Sequence, residues 1–268
     1  MDLLQALVLG LVEGITEYLP VSSTGHLLIA QRLLGIAPSE AANAFAIAIQ
    51  AGAILAVLGI YRLRAGQMLQ GLVGRNPEGL RMVGCLLVAF LPAAVLGGLF
   101  DDAIERVLFG VWPIVIAWVV GGVVILALSR WVEARRTGRS LQELAYGQAF
   151  VIGLIQCLAM WPGTSRSLVT ILGGLWIGLS LPAAVEFAFL LGLVTLSAAT
   201  GYTALKHGGV MLESFGPAVL VVGFVTAWVS AAVAVKWMVA WLNRRGLTVF
   251  AWWRFAAAAI AAALLLRP

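Results

Sequence analysis

Charge is what this sequence most lacks. Only 11% of its 268 residues are Asp, Glu, Lys or Arg, whereas 62% are hydrophobic. A soluble domain so composed could not cover its surface with polar groups, which excludes an ordinary soluble fold. Cysteine is scarce too. Cys85 and Cys157 both fall in apolar stretches with no metal or redox spacing, and read as buried structural thiols. A cleavable leader is not expected: the start lacks a basic n-region, carries Asp2, and shows no small-residue cleavage pattern before Pro20. The net charge of +5 could suggest nucleic acid. The Arg residues, however, fall in loops and form no recurring basic face, so membrane topology explains them better.

What is present is long apolar sequence, with a mean hydropathy of +1.02. About 20 apolar residues make one crossing. The runs predict spans near 43–61, 82–100, 111–130, 183–205, 217–240 and 249–266. Three Arg-rich loops then fall inside: Arg62, Arg64, Arg75 and Arg81; Arg130, Arg135, Arg136 and Arg139; and Arg244 with Arg245. Asp101, Asp102, Glu105 and Arg106 fall outside, as do Lys206, His207 and both termini.

Two apolar segments, roughly 1–35 and 145–178, are broken in the middle by proline and fit no full crossing. Each predicts a re-entrant helix–turn–helix hairpin, the first entering from outside and the second from inside. The segments also resemble each other. Gly10-Leu-Val-Glu13 matches Gly153-Leu-Ile-Gln156, and with one residue of slippage Pro20-Val-Ser-Ser23-Thr-Gly25 matches Pro162-Gly-Thr-Ser165-Arg-Ser167. A hairpin plus three spans in each half makes the halves oppositely oriented. The expected fold is therefore an all-α polytopic membrane protein, with six transmembrane helices and two re-entrant hairpins in an inverted-topology repeat. It forms a single domain over 1–268, with repeat one at about 1–135 and repeat two at about 140–268.

The chemistry sits in the two breaks. Glu13 and Glu17 are four residues apart and share a helical face. Two such carboxylates repel unless a cation or proton lies between them. Mg²⁺, typically held by one or two carboxylates plus phosphate oxygens, is one solution; a shared proton or an Arg partner is another. Pro20 ends that helix, and Ser22 or Ser23 suits the N-cap of a new half-helix carrying Thr24 and His26. Free N–H groups there favour an anion, and the imidazole could serve as acid, base or nucleophile. In the second break Gly163 permits a tight turn, and Thr164 or Ser165 can cap the next half-helix. Arg166 offers a fork matched to phosphate, or a permanent partner for Glu13 or Glu17. Acidic pair, hydroxyls, imidazole and guanidinium together suit phosphoryl transfer or hydrolysis.

Two stretches, Glu13-Gly-Ile-Thr-Glu17-Tyr-Leu-Pro-Val-Ser-Ser-Thr-Gly-His26 and Pro162-Gly-Thr-Ser-Arg-Ser-Leu-Val-Thr170, resemble the undecaprenyl-diphosphate phosphatase family of bacterial membrane enzymes. The resemblance runs nearly the whole chain. It implies hydrolysis of undecaprenyl diphosphate to undecaprenyl phosphate, recycling the lipid carrier for peptidoglycan and related polymers, with bacitracin resistance. It also implies a divalent cation (Mg²⁺ or Ca²⁺) and a site in the bacterial inner membrane that opens to the outer face. Its partners would be a polyprenyl diphosphate and the membrane, with no nucleic acid, and a homodimer is left open. On this basis Ser23, His26, Glu17, Glu13 and Arg166 are the catalytic candidates, with Glu13 and Glu17 as metal ligands. Ser22, Thr24, Gly163, Thr164, Ser165, Ser167, Thr170 and Gln50 are the substrate-binding candidates. The chain departs from the family pattern at Leu168, where a small residue is common, and at Ala46, where an acidic one is.

In the mechanism these residues suggest, Ser23 attacks the terminal phosphoryl group while His26 and Glu17 manage protons or metal, and Arg166 holds the phosphate. His26 as nucleophile and a metal-activated water are the competing versions. An inverted-repeat transporter or lipid flippase is the rival function, because broken helices at the midplane also mark transporters.

Overall fold

The computed structural model describes residues 1–108 and 110–265, with the side chains of all but Asp101, Asp102, Ala103, Glu105, Asn243 and Leu265. The acidic side chains expected in the first outer loop, and residue 266 at the end of the last expected span, thus lie outside the described residues. Among the described residues ten α-helices follow in order: α1 Leu3–Thr16, α2 Ser23–Leu33, α3 Glu40–Ile60, α4 Arg62–Leu72, α5 Pro77–Leu108, α6 Val111–Ala134, α7 Tyr146–Gln156, α8 Arg166–Trp176, α9 Leu181–Arg245 and α10 Thr248–Leu265. Four of them, α3, α5, α6 and α9, contain segments long and apolar enough to cross a membrane. The chain is an all-helical, polytopic membrane protein.

The α9 helix is far too long for one crossing. At a rise of about 1.5 Å per residue its 65 residues would reach about 100 Å, three times the hydrocarbon thickness. Gly216 interrupts it with φ 73° and ψ 164°, and Pro217 follows. This non-helical residue divides α9 into arms at 181–215 and 217–245. The expected loop over 206–216 is therefore mostly helix, broken by one residue.

Two ion pairs fix how α3 lies against the first arm. Glu40 at the start of α3 meets His207, and Arg64 just past its end meets Glu186 at 2.6 Å. The two helices therefore run antiparallel. Twenty-one residues separate Glu186 from His207, which is about 31 Å of helix and matches one hydrocarbon thickness. The second arm packs closely on α1 and α3. A Cβ added at Gly10 would lie 2.5 Å from the Gly223 carbonyl oxygen, and one at Gly52 would lie 2.8 Å from the Trp228 nitrogen.

Both broken segments are hairpins closed at their open ends. Gln5 Nε2 donates to the Leu34 carbonyl at 3.1 Å, so α1 begins where α2 ends. Around α7 and α8, Arg139 N donates to Gly178 O and Ser180 N donates to Arg139 O, both at 3.0 Å. The first hairpin closes beside Glu40 and the second beside Glu186, at opposite ends of the antiparallel pair.

A constant offset of 143 residues relates the two hairpins in backbone detail. Ser22 and Ser165, the non-glycine residues with positive φ among those described, occupy equivalent N-cap positions at φ 73° and 74°. Gly35 and Gly178 are both left-handed. The closing bonds Leu34→Ala30, Gly35→Arg32 and Ile36→Gln31 recur as Ile177→Gly173, Gly178→Leu175 and Leu179→Gly174. This corrects the slippage expected from the sequence. Ser22, not Ser23, is the partner of Ser165, and Pro20 and Pro162 are not equivalent. Proline in each break had drawn the alignment one residue off, whereas backbone geometry keeps it in phase.

Close packing of α1 on the second arm makes one prediction. Gly10→Ala drives a methyl into the Gly223 backbone, an overpacking cost of about 1–3 kcal/mol. Gly59, in α3, has no atom near an added Cβ. Melting in detergent followed by tryptophan fluorescence should show Gly10→Ala losing several degrees and Gly59→Ala losing none.

Candidate functional site

Each break ends a helix, turns, and starts another from a left-handed serine. That conformation costs a β-carbon-bearing residue on the order of 1–3 kcal/mol and persists only where neighbours enforce it. At Ser165 the side chain accepts from Leu168 N at 3.3 Å, which settles the choice between Thr164 and Ser165 as cap. Ser22 makes no such side-chain cap. Its carbonyl is instead held by His26 Nδ1 at 2.7 Å.

Between the breaks lies a cavity of about 330 Å³. Its wall includes Glu17, Ser22, Ser23 and Thr24 from the first break, and Pro162, Gly163, Ser165 and Arg166 from the second. Gln50 of α3, Gln156 of α7 and Thr195 of α9 complete the polar lining. The N-termini of α2 and α8 thus both reach this space. Each presents unpaired N–H groups and the positive end of a helix dipole, so the cavity favours an anion.

The polar centre is a chain of three residues. Ser23 Oγ donates to Glu17 Oε2, and Arg166 Nη2 donates to Glu17 Oε1 at 3.0 Å. Arg166 Nη1 also donates to the Ala188 carbonyl at 3.1 Å, and its guanidinium lies 5.5 Å from the centre of the Tyr18 ring. Gly192 makes room for it: a Cβ there would come within 2.5 Å of Nη1. Arg166 thus has a carboxylate partner in this state, as one of the readings from sequence allowed. Glu17 is positioned to take the Ser23 proton.

Glu13 is fully buried one turn before Glu17; among the described residues no donor reaches its carboxylate oxygens, and the Glu17 carboxyl lies beside it. An orphaned carboxylate in electrostatic reach of Glu17 and Arg166 is a site for a proton or a hard cation. No group of three His, Cys, Asp or Glu able to hold a metal occurs among the described residues. A divalent ion would therefore take Glu13 and Glu17 from the protein and the remaining oxygens from phosphate and water. The donor set fits such an ion.

His26 does not line the cavity. Its Nε2 faces the indole N–H of Trp253 at 3.0 Å, and an indole can only donate. Nε2 is therefore the acceptor, Nδ1 carries the hydrogen, and that hydrogen goes to Ser22 O. Both ring nitrogens are engaged, and the ring lies against Trp118 and Trp253. This geometry assigns His26 to holding the Ser22 turn. Four other expected residues also lie outside the cavity lining, Glu13 among them. Ser167 donates to Leu19 O at 2.9 Å and stitches the two breaks together; Thr170 bonds Arg166 O at 2.7 Å within its own helix; Thr164 offers its carbonyl to Arg254.

Arg254 and Gln156 escaped the sequence reading. Arg254 is fully buried in α10. It donates to Pro20 O at 3.1 Å, Gly163 O at 2.7 Å, Trp118 O at 3.2 Å and Ala117 O at 3.0 Å. One guanidinium thereby clasps both breaks to α6. Its signal was available: Arg254 is the single charged residue within the apolar run of α10. Gln156 had appeared only as the repeat counterpart of Glu13.

Fold and site define a class: a polytopic α-helical membrane protein with an anion-competent cavity between two broken helical hairpins. Comparison with known proteins narrows this. The family model described as bacitracin resistance protein BacA matches residues 6–260, and the chain belongs to that family. It is 47% identical over 257 residues to undecaprenyl-diphosphatase 2 of Rhodospirillum rubrum, covering 95% of this chain and 92% of that one. It is 43% identical to undecaprenyl-diphosphatase 1 of Chromobacterium violaceum, covering 95% and 93%. With the undecaprenyl-diphosphatase of Cereibacter sphaeroides identity is 42%, covering 98% and 97%.

The place of His26 makes a second prediction. An Asn amide nitrogen overlies imidazole Nδ1, whereas a Gln amide overlies Nε2. His26→Asn should therefore keep a large part of the phosphatase rate, with His26→Ala and His26→Gln each at least tenfold lower. Equal loss in all three would return His26 to direct chemistry.

Proposed function

We propose that this protein hydrolyses undecaprenyl diphosphate to undecaprenyl phosphate and inorganic phosphate. This recycles the lipid carrier for peptidoglycan and other envelope polymers and confers bacitracin resistance. Family membership and the printed names of close relatives support the activity. The observation that carries the chemistry is the Ser23–Glu17–Arg166 chain at the wall of a cavity flanked by two helix N-termini.

In this mechanism the terminal phosphate enters between Ser23 and Arg166. Glu17 accepts the Ser23 proton as Oγ forms a bond to phosphorus. The P–O bond to the bridging oxygen breaks, and polyprenyl phosphate leaves with the electron pair. Arg166 and the N–H groups of α2 and α8 take up the charge that develops on the phosphoryl oxygens. Glu17 gives the proton it took to the departing polyprenyl phosphate. As a carboxylate again, it takes a proton from the water that attacks the phosphoserine. The Oγ–P bond breaks, and that proton passes to Ser23 Oγ as inorganic phosphate leaves. A divalent cation at Glu13 and Glu17, when bound, supplies charge neutralisation to the phosphate oxygens. Ser22, Thr24, Gly163, Ser165 and Gln50 shape the anion pocket. Attack by His26 is disfavoured, because both its nitrogens are engaged outside the cavity.

The same reading sets the architecture in the membrane. We infer six crossings, by α3, α5, α6, the two arms of α9, and α10, with two re-entrant hairpins entering from opposite faces. The 143-residue offset and the hairpins closing at opposite ends support an inverted repeat, over about 1–135 and 140–268 in one domain. Arg64 and Glu186 mark the inner end, Glu40 and His207 the outer. The α9 lining, Thr195 to Ala199, lies midway between Glu186 and His207, and we propose that the cavity opens to the outer face of the plasma membrane. It accommodates a head group, and the chain stays in lipid. A transporter would need the same breaks, but no bonded serine–carboxylate–guanidinium chain.

Purified protein in detergent, given a polyprenyl diphosphate, should release phosphate only with divalent cation. Chelator, Ser23→Ala, Glu17→Gln and Arg166→Ala should each lower the rate at least a hundredfold. Metal-independent release, or full release by Arg166→Ala, would refute the proposal.

A further inference from the structure

Gln156 is 97% buried, being only 3% exposed, and among the described residues neither atom of its amide has a hydrogen-bond partner. Burying an unpaired amide costs about 1–3 kcal/mol in a folded protein, so such groups are retained where something else satisfies them. This one lies at the C-terminal end of α7 and lines the same cavity as Ser23 and Arg166. By the 143-residue offset it occupies the position that Glu13 holds in the first hairpin. The two positions differ in charge. Glu13 is a carboxylate that needs a proton or a cation beside it, whereas the second hairpin puts a neutral amide on the cavity wall. A carboxylate there would repel a diphosphate, and an apolar side chain would offer it no hydrogen bond.

We propose that Gln156 is a substrate-binding residue whose Nε2 group donates to a non-bridging oxygen of the bound diphosphate. Its Oε1 is left to accept from water around the head group. The inference rests on the phosphatase reading and adds to it a donor from the second hairpin that is independent of Arg166. Loss of this donor weakens the bound state without touching the Ser23–Glu17 chain, so its signature is in affinity.

The test separates binding from folding. Wild type, Gln156→Leu, Gln156→Asn and Gln156→Glu are purified in detergent. Each is measured for affinity to a non-hydrolysable prenyl methylenediphosphonate, for KM and kcat on a short prenyl diphosphate, and for melting temperature without ligand. A hydrogen bond from a neutral amide to a charged oxygen corresponds to about ten- to a hundredfold in affinity. Gln156→Leu should lose that much analogue affinity and raise KM equally, with kcat within threefold of wild type. Gln156→Glu should lose more than Gln156→Leu, and Gln156→Asn less. Because the amide is unbonded in the free protein, Gln156→Leu should melt at or above the wild-type temperature. Analogue affinity within twofold of wild type in Gln156→Leu would overturn the assignment. A lower melting temperature in Gln156→Leu would overturn it too, by showing the amide to be structural. Wild type that neither binds the analogue nor releases phosphate would instead refute the phosphatase reading itself.

Discussion

Everything at the centre of this protein depends on Arg254. Breaking a helix in hydrocarbon leaves carbonyls unmet, and two breaks set back to back double that deficit. A single guanidinium answers it from the side away from the cavity, reaching Pro20 in one break and Gly163 and Thr164 in the other. The starts of α2 and α8 face the cavity, with Leu168 N of α8 taken up by Ser165 Oγ. Anchoring the carbonyls on one side is what makes the other side an anion site. The guanidinium is buried among carbonyls with no carboxylate of the described residues bonded to it, a costly arrangement that a negatively charged ligand nearby helps to offset.

The two hairpins share a backbone and have diverged in side chains, and the chemistry lies in the divergence. Ser23 and Arg166 are equivalent positions: one supplies a nucleophilic oxygen, the other a cation for the same phosphoryl group. Glu13 and Gln156 are equivalent: one is a candidate cation ligand and the other a donor to the anion. At the position of His26 the second hairpin has Val169, and its left-handed serine is held instead by a side-chain cap and by Ser165–Ser167 contact. Ser167 then reaches across to Leu19, so each hairpin restrains the other.

Much of this was legible in the sequence, and the remainder was hidden for identifiable reasons. Hydrophobic runs located the long apolar helices α3, α5, α6 and α9, because bilayer thickness sets the length of such runs. The breaks were visible because Pro20, Gly163 and the serine clusters have no other use in apolar sequence. Glu17, Ser23 and Arg166 came together as their residue types suggested. His26 did not, since its indole partner lies 227 positions away and nothing local announces it. Arg254 was read as part of a span, although a lone charge in apolar sequence is itself a signal. The register of the repeat was misjudged because two prolines were matched by identity, while the conserved element is a backbone conformation that two serines adopt.

The most direct test of the central claim is to see where an oxyanion binds. A structure determined with orthovanadate or tungstate should show the ion between Ser23 Oγ and Arg166, at the starts of α2 and α8, with Trp253 still bonded to His26. An ion seated on His26 Nε2 in place of Trp253, with the cavity between the breaks empty, would contradict the account.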